Sequence, residues 1–222
     1  MKIKVIIPAS GIGKRFGGNT PKQFFKINGK EILAHSISKF NEIKEIDEII
    51  IASDKKNVEK IKKIIERNNF RKVSMIVAGG KQRQDSVYNA LRSLSCEKND
   101  TVMVHDAVRP YVSAKLIKEL IQQAKIFKNV IPGIKINDTL KLSGKKEIIE
   151  NTISRENMWT VQTPQAFNYS QLMDAFQKSI KNKFLGTDES SLMEHAGYKV
   201  KIIPGEKSNV KITVKDDIID YF

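Results

Sequence analysis

Five apolar runs of strand length, separated by amphipathic segments of helical period, dictate most of what this chain can become. The runs cover residues 3–7, 48–52, 73–77, 101–104 and 130–134, and the amphipathic segments cover 31–40, 55–68, 86–94 and 114–127. Strand–helix–strand repetition implies an α/β fold with a mainly parallel sheet, helices on both faces and right-handed crossovers. At 222 residues the chain is long enough for one domain with a real core, and the reading takes 1–222 as that single domain. In such sheets the ligand lies beyond the carboxyl ends of the strands. The loops at 8–22, 78–85 and 105–110 all follow strands and should therefore line one crevice.

The pattern changes after residue 134. Short strand-like pieces at 138–142 and 148–152 flank Ser143-Gly144-Lys145-Lys146, a hairpin turn. Two strands alone are marginal in water, so this β-hairpin arm, near 137–157, is expected to pack against something else, a partner subunit being the natural candidate. A strand at 159–161, a loop at 162–167, helices at 170–180 and 188–196, and strands at 198–203 and 210–213 complete the expectation.

Composition narrows the setting. Cys96 is the only cysteine, which rules out a disulfide framework within one chain and suits a reducing cytoplasm. No segment resembles a signal peptide or approaches the roughly 20 apolar residues that span a bilayer. The formal net charge of +14 admits nucleic acid, an anionic membrane surface or small polyanions as partners. The densest lysines, at 55–72, sit opposite Val58, Ile61, Ile64 and Ile65 at helical spacing, which reads as a solvated helix face. No aromatic-interleaved basic platform is present, so no specific nucleic-acid partner is expected. Three histidines, His35, His105 and His195, have no metal-ligand spacing.

Three loops carry candidate chemistry. The first apolar run breaks at Pro8 into Ala9-Ser10-Gly11-Ile12-Gly13, followed by Lys14, Arg15 and Lys22. Backbone N–H groups at such a turn form an anion-binding concavity, and glycine lets a phosphate approach. A P-loop would need a Gly-Lys-Ser/Thr ending, which the chain lacks, and the dinucleotide fingerprint would need a small residue where Phe16 stands. An ordinary turn with solvated cations is the plainer alternative. At Gly79-Gly80-Lys81, two glycines bring backbone close to a flat ligand, with Ser86 beside them and Asp85 or Ser86 able to cap a helix. At His105-Asp106-Ala107-Val108-Arg109-Pro110, a carboxylate at a strand end suits a ribose hydroxyl or a metal ion. Arg109 suits a phosphate, with an Asp106–Arg109 ion pair as the structural alternative. The distal half adds Thr139, Arg155, Thr163, Thr187, Asp188 and Lys211, a set suited to a second anionic ligand such as a phosphorylated sugar alcohol.

The blocks PASGIGKRFGGNTPKQF, GGKQRQDSV, VHDAVRP, NDTLK, ISRENMWTVQTPQAF, FLGTDESSLMEHAG and NVKIT run in order through almost the whole chain. In that order and spacing it resembles the 2-C-methyl-D-erythritol 4-phosphate cytidylyltransferase family of the non-mevalonate isoprenoid pathway. The resemblance implies a Rossmann-like nucleotidyltransferase sheet with a protruding β-arm exchanged between subunits of a homodimer. It implies that Ala9, Ser10, Gly11, Ile12 and Gly13 line a CTP site, with Arg15 and Lys22 on its phosphates. Gly80, Lys81 and Ser86 would read the cytosine, and Asp106 and Ala107 would lie near the ribose and Mg²⁺. Arg109, Thr139, Arg155, Thr163, Thr187 and Lys211 would face methylerythritol phosphate, with Arg155 reaching in from the partner. Three positions depart from the usual pattern: Ser10 where alanine is usual, Lys81 where an acidic residue is common, and Val108 where alanine or glycine is frequent.

The implied reaction is in-line attack of the sugar phosphate on the CTP α-phosphate, with Arg15, Lys22 and Lys211 stabilising charge. Two rivals share part of the pattern. A ribitol-5-phosphate cytidylyltransferase would share the glycine loop and the HDAVRP and QTPQ blocks, but FLGTDESSLMEHAG fits it less well. A basic nucleic-acid-binding protein would bind with steep salt dependence and without need of CTP.

Overall fold

Valine- and isoleucine-rich runs without alternation favour burial on both faces, and in the computed structural model four of the five are buried so, while the run at 73–77 forms the sheet edge and stays half-exposed, with Met75 on the surface. The structure describes residues 1–11, 16 and 20–218. Strand β1 (Ile3–Pro8) leads, by way of a 3-10 turn at Lys22–Phe24, to a small ladder of β2 (Lys26–Ile27) and β3 (Lys30–Glu31) and to helix α1 (Ile32–Asn41). The alternation continues through β4 (Glu48–Ser53), α2 (Val58–Arg67), β5 (Val73–Ala78) and α3 (Arg83–Ser93). It closes with β6 (Thr101–Val104), α4 (Ala114–Phe127) and β7 (Val130–Lys135). The distal part holds β8 (Leu140–Ser143), β9 (Ile149–Ile153), β10 (Trp159–Val161), β11 (Gln165–Asn168), α5 (Tyr169–Lys181), α6 (Glu189–His195) and β12 (Lys201–Pro204).

The main sheet runs β10-β7-β11-β6-β1-β4-β5, with β12 also paired to β7. Pairs β6–β1, β1–β4, β4–β5 and β7–β12 are parallel, while β11 inserts antiparallel between β6 and β7. Successive side chains of β1 serve opposite layers. Ile3, Val5 and Ile7 pack with Leu33, Ile37 and Phe40 of α1, Ile61 of α2 and Leu116 and Leu120 of α4. Ile6 faces the other way, toward Val87 and Leu91 of α3, Phe176 of α5 and Leu192 of α6. The lysines of α2 point outward while Ile61 and Ile64 are buried, as the helical spacing predicts.

Three local expectations need correction. Residues 162–167 read as a loop, yet 165–168 form a buried strand that carries the polar Gln165 and Asn168. Their amides are satisfied inside, Gln165 Nε2 on Asp188 Oδ2 at 2.7 Å and Asn168 Nδ2 on the Lys98 carbonyl at 3.1 Å. Residues 210–213 read as a strand but form none: the Val210 N–H donates to the Ser208 carbonyl (2.8 Å), that of Ile212 to the Val108 carbonyl (2.9 Å) and that of Thr213 to the Asp217 carboxylate (2.6 Å), so no ladder forms with a neighbouring strand. The strand expected at 198–203 begins only at Lys201. The β2–β3 turn was not anticipated; Asn28 and Gly29 both take positive φ (49° and 76°), the conformation that a tight two-residue hairpin demands.

The arm of β8 and β9 forms its own two-stranded sheet and leaves Leu142, Ile148 and Ile149 exposed. Among the described residues no helix is long and apolar enough to cross a membrane. Because Ile6 is fully buried between the sheet and α3, Ile6→Ala should destabilise the protein by about 2–5 kcal/mol. Urea unfolding checks this; an unchanged midpoint would mean that this layer is not close-packed.

Candidate active site

The three loops expected to converge do so at the carboxyl edge of the parallel strands. β1 ends with Ala9 donating to the Ala52 carbonyl at 2.7 Å, which keeps the chain in register as it turns away at Ser10 and Gly11. β5 ends at Gly79, whose N–H reaches the Ser53 carbonyl at 2.9 Å, and Gly80 N–H donates to Ser86 Oγ at 3.0 Å. A methyl group on Gly80 would fall 2.1 Å from Cβ of Asp85, so only glycine lets this loop sit on the start of α3. Asp85 caps that helix by accepting from Gln82 N–H at 3.0 Å, while Ser86 lies inside it, buried. β6 ends with His105 N–H on the Ile6 carbonyl at 2.9 Å, which delivers Asp106 to the crevice.

Between these loops lies a cavity of about 210 Å³. Ala9, Ser10 and Gly11 form one wall, Gly80, Lys81 and Ser86 a second, and Asp106 and Ala107 the floor, with Lys22 and Lys211 at the same cavity. Ile12, Gly13 and Arg15 lie outside the described residues. Lys22 and Lys211 are far apart in sequence, yet Lys22 Nζ donates to the carbonyl of Ile212, the next residue after Lys211, at 3.0 Å.

A second cavity, of about 180 Å³, adjoins the first and is lined by Arg109, Thr163, Thr187 and Asp188. Arg83, Asp106 and Lys211 border both. Thr139 and Arg155 border neither within one chain: both are exposed at the base of the arm, where Arg155 Nη1 donates to the Asn137 carbonyl.

Asp106 is the electrostatic centre. Lys211 Nζ stands 2.9 Å from Oδ2, Arg83 Nε 3.0 Å from Oδ1 and Arg109 Nε 3.7 Å from Oδ2. Burial opposes ionisation of this carboxyl, but the charges of Arg83, Lys211 and Arg109 outweigh it and hold its pKa far below the usual carboxylate range. The Asp106–Arg109 pair foreseen as a structural alternative is thus the longest of three contacts. Arg109 donates through Nη1 to the Asn209 carbonyl at 2.7 Å, and among the described residues its buried Nε has no hydrogen-bond partner.

Behind this centre runs a chain of neutral hydrogen bonds. Asp106 N–H donates to Thr163 Oγ1 at 3.0 Å, which leaves the hydroxyl proton for His105 Nδ1 at 3.2 Å. His105 Nε2–H then reaches the Arg109 carbonyl at 3.1 Å. This network fixes the tautomer and shows that Thr163 already uses its proton inside the protein.

Sequence reading missed Arg83 and Glu189. Glu189 takes both Arg83 Nη groups, at 2.7 and 3.0 Å, and is buried. Both residues lie in blocks that looked informative as wholes, at the first positions of α3 and α6. No spacing in the chain signals a pair 106 residues apart.

A helix-flanked sheet whose strand ends open into a glycine-walled, cation-rich crevice defines an α/β protein built to hold an anionic ligand at its strand ends. Comparison with known proteins narrows that class. The family model described as IspD, 2-C-methyl-D-erythritol 4-phosphate cytidylyltransferase, matches residues 3–220. A relative of that name from Clostridioides difficile (strain 630) is 41% identical over 216 residues, covering 96% of this chain and 90% of the relative. One from Clostridium botulinum (strain Langeland / NCTC 10281 / Type F) is 40% identical over 220 residues, covering 98% and 95%. The crystal structure of 4-diphosphocytidyl-2C-methyl-D-erythritol synthase from Anaerococcus prevotii matches with a TM-score of 0.84 at 30% identity, covering 97% of this chain and 92% of that one. The Francisella tularensis 2-C-methyl-D-erythritol 4-phosphate cytidylyltransferase matches with a TM-score of 0.81 at 35% identity, over 98% and 96%. The chain belongs to the 2-C-methyl-D-erythritol 4-phosphate cytidylyltransferase family, nucleotidyltransferases of the non-mevalonate isoprenoid pathway.

Burial pushes the His105 imidazole down to about 4 from its ordinary 6.5. The neutral ring therefore contributes stability in full above pH 6.5, and that contribution is lost as pH falls toward 4, about 3 kcal/mol in all. Urea midpoints should fall across this window, and His105→Gln should flatten the fall. An equally steep fall in the variant would assign it to other groups, such as His35, which burial also lowers.

Proposed function

We propose that this chain joins CTP and 2-C-methyl-D-erythritol 4-phosphate to give 4-CDP-2-C-methyl-D-erythritol and pyrophosphate. The observation that carries the reading is the pair of adjoining cavities that share Arg83, Asp106 and Lys211. One cavity takes the nucleotide, the other the sugar phosphate, and the reacting phosphorus sits where they meet. A phosphate oxygen of the sugar alcohol bonds to the α-phosphorus while the bond to the β-phosphate breaks in line. The nucleophile is already ionised, so neither a general base nor a covalent enzyme intermediate is needed. What remains is to hold two anions together, and positioning with charge stabilisation does that.

Each residue has a part in this reading. The backbone at Ala9, Ser10, Gly11, Ile12 and Gly13 cradles the phosphates, with Arg15 and Lys22 on the charge that builds at the leaving group. Gly80, Lys81 and Ser86 face the cytosine; Asp106 and Ala107 face the ribose. Lys211 moves from Asp106 to the reacting phosphate. The Nε of Arg109, which has only the long 3.7 Å contact with Asp106, is a buried donor beside the sugar-phosphate cavity, and Thr187 lines the same wall. Thr163 acts there by placing Asp106, since its proton is taken by His105.

Asp106 is the single carboxylate in the wall of the first cavity, and among the described residues no cluster of three metal-binding side chains exists. That donor set fits Mg²⁺, which takes one or two carboxylates together with phosphate oxygens and water. When bound, Mg²⁺ neutralises part of the triphosphate charge.

The arm supports a homodimer. Its exposed Leu142, Ile148 and Ile149 need cover, and Thr139 and Arg155 then reach the partner's sugar-phosphate cavity. The single cysteine, Cys96, suits a cytoplasmic enzyme.

Pyrophosphate release tests the reaction. It should appear only when CTP, Mg²⁺ and methylerythritol phosphate are all present, and ribitol 5-phosphate should not replace the acceptor; release with ribitol phosphate alone would overturn the substrate assignment. Lys22→Ala should lower kcat by about 10²-fold, roughly 2.7 kcal/mol of transition-state stabilisation. Wild-type turnover by that variant would remove Lys22 from the mechanism. Arg155→Ala should raise the KM for the sugar phosphate far more than that for CTP, and equal loss for both would misplace the arm.

A further inference from the structure

Glu189 is a fully buried carboxylate that borders neither cavity. Its two oxygens hold the two terminal nitrogens of Arg83 at 2.7 and 3.0 Å, and the remaining nitrogen, Nε, binds Asp106 at 3.0 Å. The guanidinium is thus pinned at three points by two carboxylates. Three of its five N–H donors are thereby committed, and the plane of the guanidinium that borders both cavities is fixed.

The anchor is itself anchored. Asp188 caps α6 by accepting from Ser191 N–H at 3.0 Å, and Gln165 of β11 links to Asp188 at 2.7 Å and accepts from Ser190 N–H at 3.2 Å. The start of α6 is therefore fixed to the sheet, and through Arg83 it fixes the start of α3. A buried ion pair is weak evidence of stability, because well-packed apolar residues often serve as well. Here the pair is useful for geometry.

We propose that Glu189 is a positioning residue for the transfer reaction: by immobilising Arg83 it sets the Asp106 carboxylate at the junction of the two cavities. This rests on the function proposed above. Asp106 has to present one oxygen to the nucleotide side while the other holds Lys211 in reserve at 2.9 Å. A carboxylate free to rotate would lose that division. Neither Arg83 nor Glu189 needs to touch either substrate.

Steady-state kinetics on full-length Glu189→Gln, Asp106→Asn and the double variant test the claim, with melting curves alongside. Glu189→Gln should lower kcat by about tenfold or more while the KM for CTP stays within about threefold. In the Asp106→Asn background the same substitution should change kcat by no more than about threefold, because it acts through a carboxylate that is no longer there. Three results would overturn the proposal: the same fold loss in both backgrounds, a lowered melting temperature with unchanged kcat, or a CTP KM that rises in step with the loss. If Glu189→Gln does not fold, Arg83→Lys applies the same criteria from the other side, since lysine keeps the charge but cannot be held at three points. A wild-type protein that forms no product defeats the function reading. The positioning claim is then decided by the Arg83 Nε–H resonance, which should exchange slowly in the wild type and broaden or vanish in Glu189→Gln. An unchanged resonance would refute it.

Discussion

A buried carboxylate has to be matched by positive charge or be expelled, and Asp106 meets that demand with three cations from three parts of the chain. Arg83 comes from the start of α3, Arg109 from the loop after β6 and Lys211 from the segment beyond β12. Their convergence holds those segments together at the carboxyl edge of the sheet. It also sets the local charge. Among the described residues five cations, Lys22, Lys81, Arg83, Arg109 and Lys211, stand against the three carboxylates of Asp106, Asp188 and Glu189, an excess of two. A crevice charged in this way concentrates polyanions before any specific contact forms.

The same constraint explains why the two halves of the crevice adjoin. The first cavity is made by the proximal strand ends, where Ala9, Gly80 and Asp106 follow the parallel strands β1, β5 and β6. The second is made by the chain entering β11 and the cap of α6, which the antiparallel insertion of β11 beside β6 brings against Asp106. His105 and Thr163 fasten these halves from behind through the tautomer-fixed chain of hydrogen bonds. The fold therefore supplies a rigid junction between the two cavities.

Much of this was legible in the chain. Apolar runs without alternation located the five proximal strands, and α4 was found to the residue, because Ser113 and the helical spacing mark its start without competing signals. The grouping of three loops at one crevice followed from the parallel-sheet rule alone. Residues 210–213 read as strand because their apolar alternation outweighs the capping Asp217 only four residues on, which takes the Thr213 N–H. Gln165 and Asn168 read as loop because the partners that satisfy them, Asp188 and Lys98, are distant in sequence. Arg83 and Glu189 were unreadable for the same reason. The commitment of Thr163 to His105 likewise appears only in three dimensions.

The central claim is that the reacting phosphorus lies at the Asp106 junction, between cations from the two ends of the chain. A crystal structure with CTP and Mg²⁺ bound tests it most directly. The account predicts the α-phosphate at the border of the two cavities, within hydrogen-bond reach of Lys22 and Lys211, with Arg83 still held by Glu189. A triphosphate bound elsewhere, with Lys211 still on Asp106, would contradict it.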